Sequence, residues 1–383
     1  MKTLARLTKL ILAGFVSLFL MGVQCLAQEP AGSEPASSNV LNAKYPKITS
    51  DLKVIFKIKA PEARSVQIDL GKKFDMIKDD QGTWSVTTDP QVPGFHYYSL
   101  VIDGVAVADP ASESFFGMGR MASGIEIPEK GVDFYNIKDV PHGDIRLIQY
   151  FSNVTNSWRK MYLFTPPGYD SNIKKKYPVL YIQHGGGEDE RGWVTQGKTN
   201  IILDNLIAEG KAKAMLVVIA NGNVTNANGY NDKAMDDYAN EMIKNVIPFI
   251  EKNYRVIADR ENRAIAGLSM GGGQAFYTGL RNTGTFSSIG VFSSGIFGGI
   301  AGANFDAEKQ IPGILTKSDS FNKNLKLFYL SVGEQDPRFE YTKKAVTTFR
   351  ENHLKVTFSS FPGAHEWQTW RKSLHEFASL LFK

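Results

Sequence analysis

Ser269 stands between Gly267 and Gly271 in the stretch AIAGLSMGGGQAFYTGL, residues 264–280, where an apolar run breaks into glycines and then resumes with helical character. A G-x-S-x-G pattern between a buried strand and a helix is the signature of a nucleophile elbow, whose small flanking residues let the chain turn without burying the hydroxyl. Upstream, YIQHGGGEDERGW sets Gly185, Gly186 and Gly187 behind a strand that ends at His184. A glycine run there can turn a backbone N–H toward a reacting carbonyl oxygen. Gly186 is the preferred loop donor, with Gly185 and Gly187 left open, and the amide of Met270 beside the nucleophile is the second oxyanion donor.

A serine needs a base, and six histidines are available. His365, in SSFPGAHEWQTW, follows a strand and precedes the last helix, so its loop can lean over the carboxyl ends of a sheet. It is expected to be the general base, whereas His375 reads as a surface histidine on a helix. The orienting carboxylate belongs between serine and histidine in hydrolase order. The segment LKLFYLSVGEQDPRFE offers Asp336, with Glu334 in reserve. Ser269, Asp336 and His365 would then transfer acyl groups through an acyl-serine intermediate without a metal or other cofactor. No histidine pair has the helical spacing of a zinc hydrolase, although clustered Asp and Glu leave a structural calcium open.

Positioning such groups requires a sheet with helices on both faces. From about residue 140, apolar strand-like runs such as PVLYIQH, AMLVVIA and IGVFSS alternate with amphipathic helical segments such as TNIILDNLIAEGKA and WRKSLHEFASLLF. This alternation implies crossover units on a mostly parallel sheet over residues 131–383. Residues 51–130 carry short β-branched and aromatic runs separated by Gly, Pro, Asp and Asn, the pattern of a small β-sandwich. Residues 28–50 lack periodicity and read as a flexible leader. The start, with Lys2, Arg6 and Lys9 ahead of an apolar run and small residues near Ala27, reads as a cleaved export signal over residues 1–27, giving a secreted or periplasmic protein with no membrane span. Lipid anchoring through Cys25, the only cysteine, is a minor alternative. Loss of those three basic residues lowers the formal charge from +5 to +2, and no basic block interleaved with aromatics remains to bind nucleic acid.

Taken together, the HGGG loop, ILDNLIAEGKA, VIPFIEKNYRV, GLSMGGGQ, the GEQD turn and GAHEW resemble the esterase D-like α/β-hydrolases. The resemblance is strongest to the bacterial feruloyl and acetylxylan esterases of carbohydrate esterase family 1, and it covers residues 140–383. Residues 51–129 resemble the immunoglobulin-like, carbohydrate-module-like domain that often precedes them. The resemblance implies Ser269 as nucleophile, Asp336 as acid, His365 as base, and Met270 with a glycine of the 185–187 loop as oxyanion donors. It further implies plant cell-wall polysaccharide, or a feruloylated oligosaccharide, as partner, and no obligate protein partner is expected. Trp193 and Trp367, with Trp370 behind them, stand beside the motif loops as aromatic platforms for substrate, and Tyr230 in NGNVTNANGYND is expected to shape the far wall. Feruloyl is the preferred acyl group, with acetyl as the alternative.

Overall fold

The computed structural model describes residues 32–40, 42–224, 231–299 and 305–383; the export-signal reading, Cys25 and Tyr230 fall outside these described residues. An eight-stranded sheet organises the C-terminal two thirds. Its strands, in chain order, are β1 (Asp144–Ser152), β2 (Ser157–Thr165), β3 (Val179–Gln183), β4 (Leu216–Ala220), β5 (Arg263–Leu268), β6 (Ser288–Phe292), β7 (Leu327–Gly333) and β8 (Thr357–Phe361). Their spatial order is β1-β2-β4-β3-β5-β6-β7-β8. The pairs β1–β2 and β2–β4 are antiparallel, and all the others are parallel.

The central strands β3, β4, β5 and β6 are buried at every position. They read as continuous apolar runs because helices cover both faces. Alternate residues serve opposite cores: Val179 and Tyr181 of β3 pack with Phe276 and Phe349 on one face, while Leu180 and Ile182 pack with Leu203 and Phe377 on the other. The crossover helices include Thr199–Ala208 after β3, Met270–Arg281 after β5 and Phe339–Glu351 after β7; Trp367–Leu380 follows β8.

The chain steps from β3 to β4 on one side, yet β5 lies on the other side of β3. Strand order therefore reverses there, and open α/β sheets bind ligands in the crevice at such a point. Because Gln183 of β3 pairs with Gly267 of β5, the glycine loop and Ser269 leave the sheet side by side.

The N-terminal part is two antiparallel sheets around a core that includes Phe56, Ile68, Trp84, Tyr98 and Ile125. The expected flexible leader differs in the structure, for Glu34–Pro35 pairs with Lys47–Ile48, which in turn pairs with Val54–Lys59. Ser38 Oγ donates to the Gly124 carbonyl at 2.6 Å, and Ala36 and Ile48 are buried. Two-residue strands are too short to leave a periodic pattern, which is why this edge of the sandwich reads as linker. The strand Gly94–Ile102 serves both parts of the molecule: Tyr98 and Leu100 point into the sandwich, whereas Phe95 and Tyr97 pack on the core beneath the last helix. Among the described residues no helix is long and apolar enough to cross a membrane.

Candidate active site

Ser269 occupies the turn between β5 and the helix Met270–Arg281 with φ 52° and ψ −115°. Such a backbone costs of order 1–3 kcal/mol for a residue with a Cβ and persists only when its surroundings over-determine it. They do so here: the Ser269 amide donates to Phe292 O at 2.8 Å, and its carbonyl accepts from Ser294 Oγ at 3.0 Å and Gly273 N at 3.2 Å. A Cβ on Gly267 would lie 2.3 Å from Gly271 O, and one on Gly271 would lie 2.4 Å from His184 O. Both glycines are thus required by close approach of backbone to backbone.

His365 lies on the loop between β8 and the last helix, and its Nε2 is 3.0 Å from Ser269 Oγ. Its Nδ1 is 2.7 Å from Asp336 Oδ2. Burial raises the pKa of Asp336, but hydrogen bonding and charge from His365, together with Arg338, outweigh it and hold the carboxyl below its ordinary value. An ionised Asp336 can only accept, so His365 Nδ1–H donates to it and Nε2 is left to accept from the serine hydroxyl. Asp336 Oδ1 is occupied by the Arg338 amide at 3.0 Å and by Arg338 Nη1 at 3.2 Å, which fixes the carboxylate plane. Glu334, the reserve carboxylate, is exposed and accepts from Ser360 Oγ at 3.2 Å instead.

Three further histidines have structural partners. His184 is fully buried, accepts from the Gly222 amide at 3.0 Å, and is pushed down to about 4 by burial. His142 pairs with Asp204 at 2.9 Å. His375, expected at the surface, instead packs its ring 4.5 Å from that of Phe134 and is half-buried.

The glycine loop narrows the choice of oxyanion donor. The Gly185 amide is already committed to Glu188 Oε2 at 3.1 Å. Among the described residues, neither the Gly186 nor the Met270 amide donates to another protein group, and a Cβ on Gly186 would face Met270 Cβ at 4.0 Å. Met270 opens its helix, where the first N–H groups have no intrahelical acceptor and the helix dipole favours negative charge.

A cavity of about 290 Å³ opens over Ser269 and His365, and Gly186 lies in its lining. Its walls include Phe95, Met118, Trp367 and Trp370, with Tyr97 and Glu188 as polar groups. Trp367 lines the cavity, with only 2% of the residue exposed. Trp193 does not: it is wholly buried, donates its indole N–H to Gln183 O at 2.9 Å, and stacks edge-on against Trp367 at 5.3 Å. This corrects its expected role as a substrate platform, since its side chain turns down into the core beneath the loop. A larger cavity of about 730 Å³ lies around Glu126 and Arg371, but no member of the Ser269, His365, Asp336 set lines it. Among the described residues no group of three His, Cys, Asp or Glu is gathered as a metal site would need.

Strand order and the elbow after β5 define the α/β-hydrolase fold, and a serine hydrogen-bonded to a histidine on that turn marks the serine hydrolases within it. The chain belongs to the Esterase family, whose model matches residues 152–379. It is 36% identical over 361 residues to an endo-1,4-beta-xylanase/feruloyl esterase of Xylanibacter ruminicola, covering 91% of this chain and 47% of that protein. The chain thus spans about half the length of that curated relative. Among solved structures, a ferulic acid esterase is 29% identical with TM-score 0.54, over 63% of this chain and 98% of the other. A CE1 ferulic acid esterase from Anaeromyces mucronatus, in complex with ferulic acid, is 25% identical with TM-score 0.55, over 66% of this chain and 96% of the other.

Proposed function

We propose that the chain is a feruloyl esterase that removes hydroxycinnamoyl groups from plant cell-wall polysaccharide such as arabinoxylan. Ser269 Oγ attacks the ester carbonyl carbon while His365 Nε2 takes its proton, and the amides of Gly186 and Met270 receive the oxyanion. Collapse expels the sugar alcohol, which takes the proton back from His365. Water then attacks the acyl-serine under the same base and releases the acid. Asp336 keeps the imidazole in the required tautomer and stabilises its charged form.

The observation that carries the acyl preference is the aromatic-walled cavity above Ser269, where Trp367, Trp370 and Phe95 surround a volume of about 290 Å³. A flat substituted ring needs an apolar slot with a few polar groups, and His96 and Glu366 also line the cavity. Similarity to a xylanase/feruloyl esterase and to ferulic acid esterases supports the same substrate class. In this reading residues 1–27 direct export, which gives the enzyme access to an insoluble polymer, and the β-sandwich belongs to the carbohydrate-module type. Parallel assays on natural arabinoxylan and acetylated xylan test it by measuring ferulate and acetate. Ferulate release, matched by turnover of methyl ferulate, is expected; efficient acetate release with no ferulate from either substrate would reassign the acyl group to acetyl.

A further inference from the structure

The residue on either side of Gly186 is held by a different anchor, and both anchors lead to the N-terminal β-domain. On one side the Gly185 amide donates to Glu188 Oε2 at 3.1 Å, and Glu188 Oε1 accepts from the Tyr97 hydroxyl at 3.1 Å. On the other side the Gly187 carbonyl accepts from the Gly119 amide at 2.8 Å. Gly119 lies on the turn that joins the strands Ser114–Gly117 and Arg120–Ile127. That turn sits hard against the loop, for a Cβ on Gly187 would lie 3.2 Å from Gly119 N and 3.3 Å from Met118 Cα.

Tyr97 is itself fixed. Its oxygen accepts from Gln196 Nε2 at 2.5 Å and from the Trp367 indole N–H at 3.3 Å, so its single proton goes to Glu188. Gln196 Nε2 also reaches back to the Phe116 carbonyl at 3.0 Å, tying this cluster to the same hairpin. Glu188 is only 5% exposed, and burial pushes its carboxyl up to about 7. A buried carboxyl is costly to ionise, and its retention beside a catalytic loop calls for a use.

We infer that Tyr97, Glu188 and Gly119 are positioning residues through which the N-terminal β-domain fixes the oxyanion loop, so that this domain completes the esterase site. The inference rests on Gly186 as an oxyanion donor. An amide held in place before reaction stabilises developing charge without reorganisation, and one free to swing does not. Loss of an anchor therefore lowers kcat and leaves the binding of the small neutral substrate nearly unchanged.

The test uses the full chain and p-nitrophenyl acetate, a substrate too small to need polysaccharide binding. Variants Tyr97→Phe, Glu188→Ala and Glu188→Gln are compared with wild type for kcat, KM and the Ki of a trifluoromethyl ketone that mimics the tetrahedral oxyanion. Tyr97→Phe is expected to lower kcat about tenfold and Glu188→Ala about a hundredfold, with KM within about twofold and Ki rising in step with the fall in kcat. Glu188→Gln is expected to lower kcat about tenfold, because its single amide oxygen can accept from the Gly185 amide or from the Tyr97 hydroxyl but not from both. Wild-type kcat in both Tyr97→Phe and Glu188→Ala overturns the proposal, as does a change confined to KM. If Glu188→Ala does not fold, Tyr97→Phe and Glu188→Gln decide. A wild-type enzyme inert toward every ester would refute the esterase reading itself, an outcome distinct from active anchor variants.

Discussion

Ser269, His365 and Asp336 are joined by hydrogen bonds of 3.0 and 2.7 Å, and in the proposed mechanism each has one chemical task that its neighbours cannot assume. Ser269→Ala and His365→Ala are expected to lower kcat/KM on p-nitrophenyl acetate at least about 10⁴-fold with an unchanged circular dichroism spectrum. Asp336→Asn is expected to cost about 10³- to 10⁴-fold through the wrong imidazole tautomer. Glu334→Ala is expected to stay near wild type, since its carboxylate faces Ser360 and solvent. Glu188 gives a prediction of opposite kind, in stability. Its native pKa, about 7, lies above the ordinary carboxyl value of 4.5, so between these pH values the native state binds the extra proton and stability falls as pH rises. Glu188→Gln lacks this dependence, so its stability relative to wild type is expected to improve by about 3 kcal/mol between pH 4.5 and 7.5. Comparing variant with wild type cancels the opposing contribution of buried His184. Denaturant titrations at several pH values check this; parallel pH dependences in the two proteins would contradict it.

At the scale of elements, the site depends on β3 and β5 lying next to each other at the point of strand reversal. Gly271→Ala is expected to destabilise the protein by about 3 kcal/mol and to reduce activity, because the added methyl meets His184 O and Gln183 O at 2.4 and 2.6 Å. Thermal melts and kcat together check it, and a silent substitution would mean that the elbow has room to spare. The strand-and-helix alternation and the chain order of Ser269, Asp336 and His365 were legible in the sequence because strands buried on both faces leave unbroken apolar runs and the elbow demands glycine. The direction of a loop side chain was not. Trp193 and Trp367 flank the motif loops equally well, yet one faces the cavity and the other lies beneath it. Glu188 left a faint signal, a carboxylate directly after three glycines, but nothing local says that it turns inward to bond Gly185. The partner that holds it, Tyr97, is 91 residues away.

Charge pairs join the β-sandwich to the last helix alongside the apolar packing of Phe95 and Tyr97. Arg371, fully buried, makes a two-pronged contact with Glu126 at 2.7 and 3.0 Å and donates from Nε to Gln196 O at 2.7 Å. Lys372 pairs with Glu129 at 2.7 Å. Glu126→Ala is expected to cost about 3–5 kcal/mol, since it strands a buried guanidinium without its counter-charge, and to lower the melting temperature. A melting temperature within a degree of wild type would show that the two parts are held by apolar packing alone. Contacts between residues 245 apart have no local signature, so the β-sandwich was legible as a separate unit while its junction with the esterase sheet was not. The most direct test of the whole account is to quench the enzyme during turnover of methyl ferulate and map the acyl group by mass spectrometry. A feruloyl ester on the peptide that carries Ser269, absent in Ser269→Ala, is the expected result; steady release of ferulate with no adduct at Ser269, or with an adduct on another residue, would contradict it.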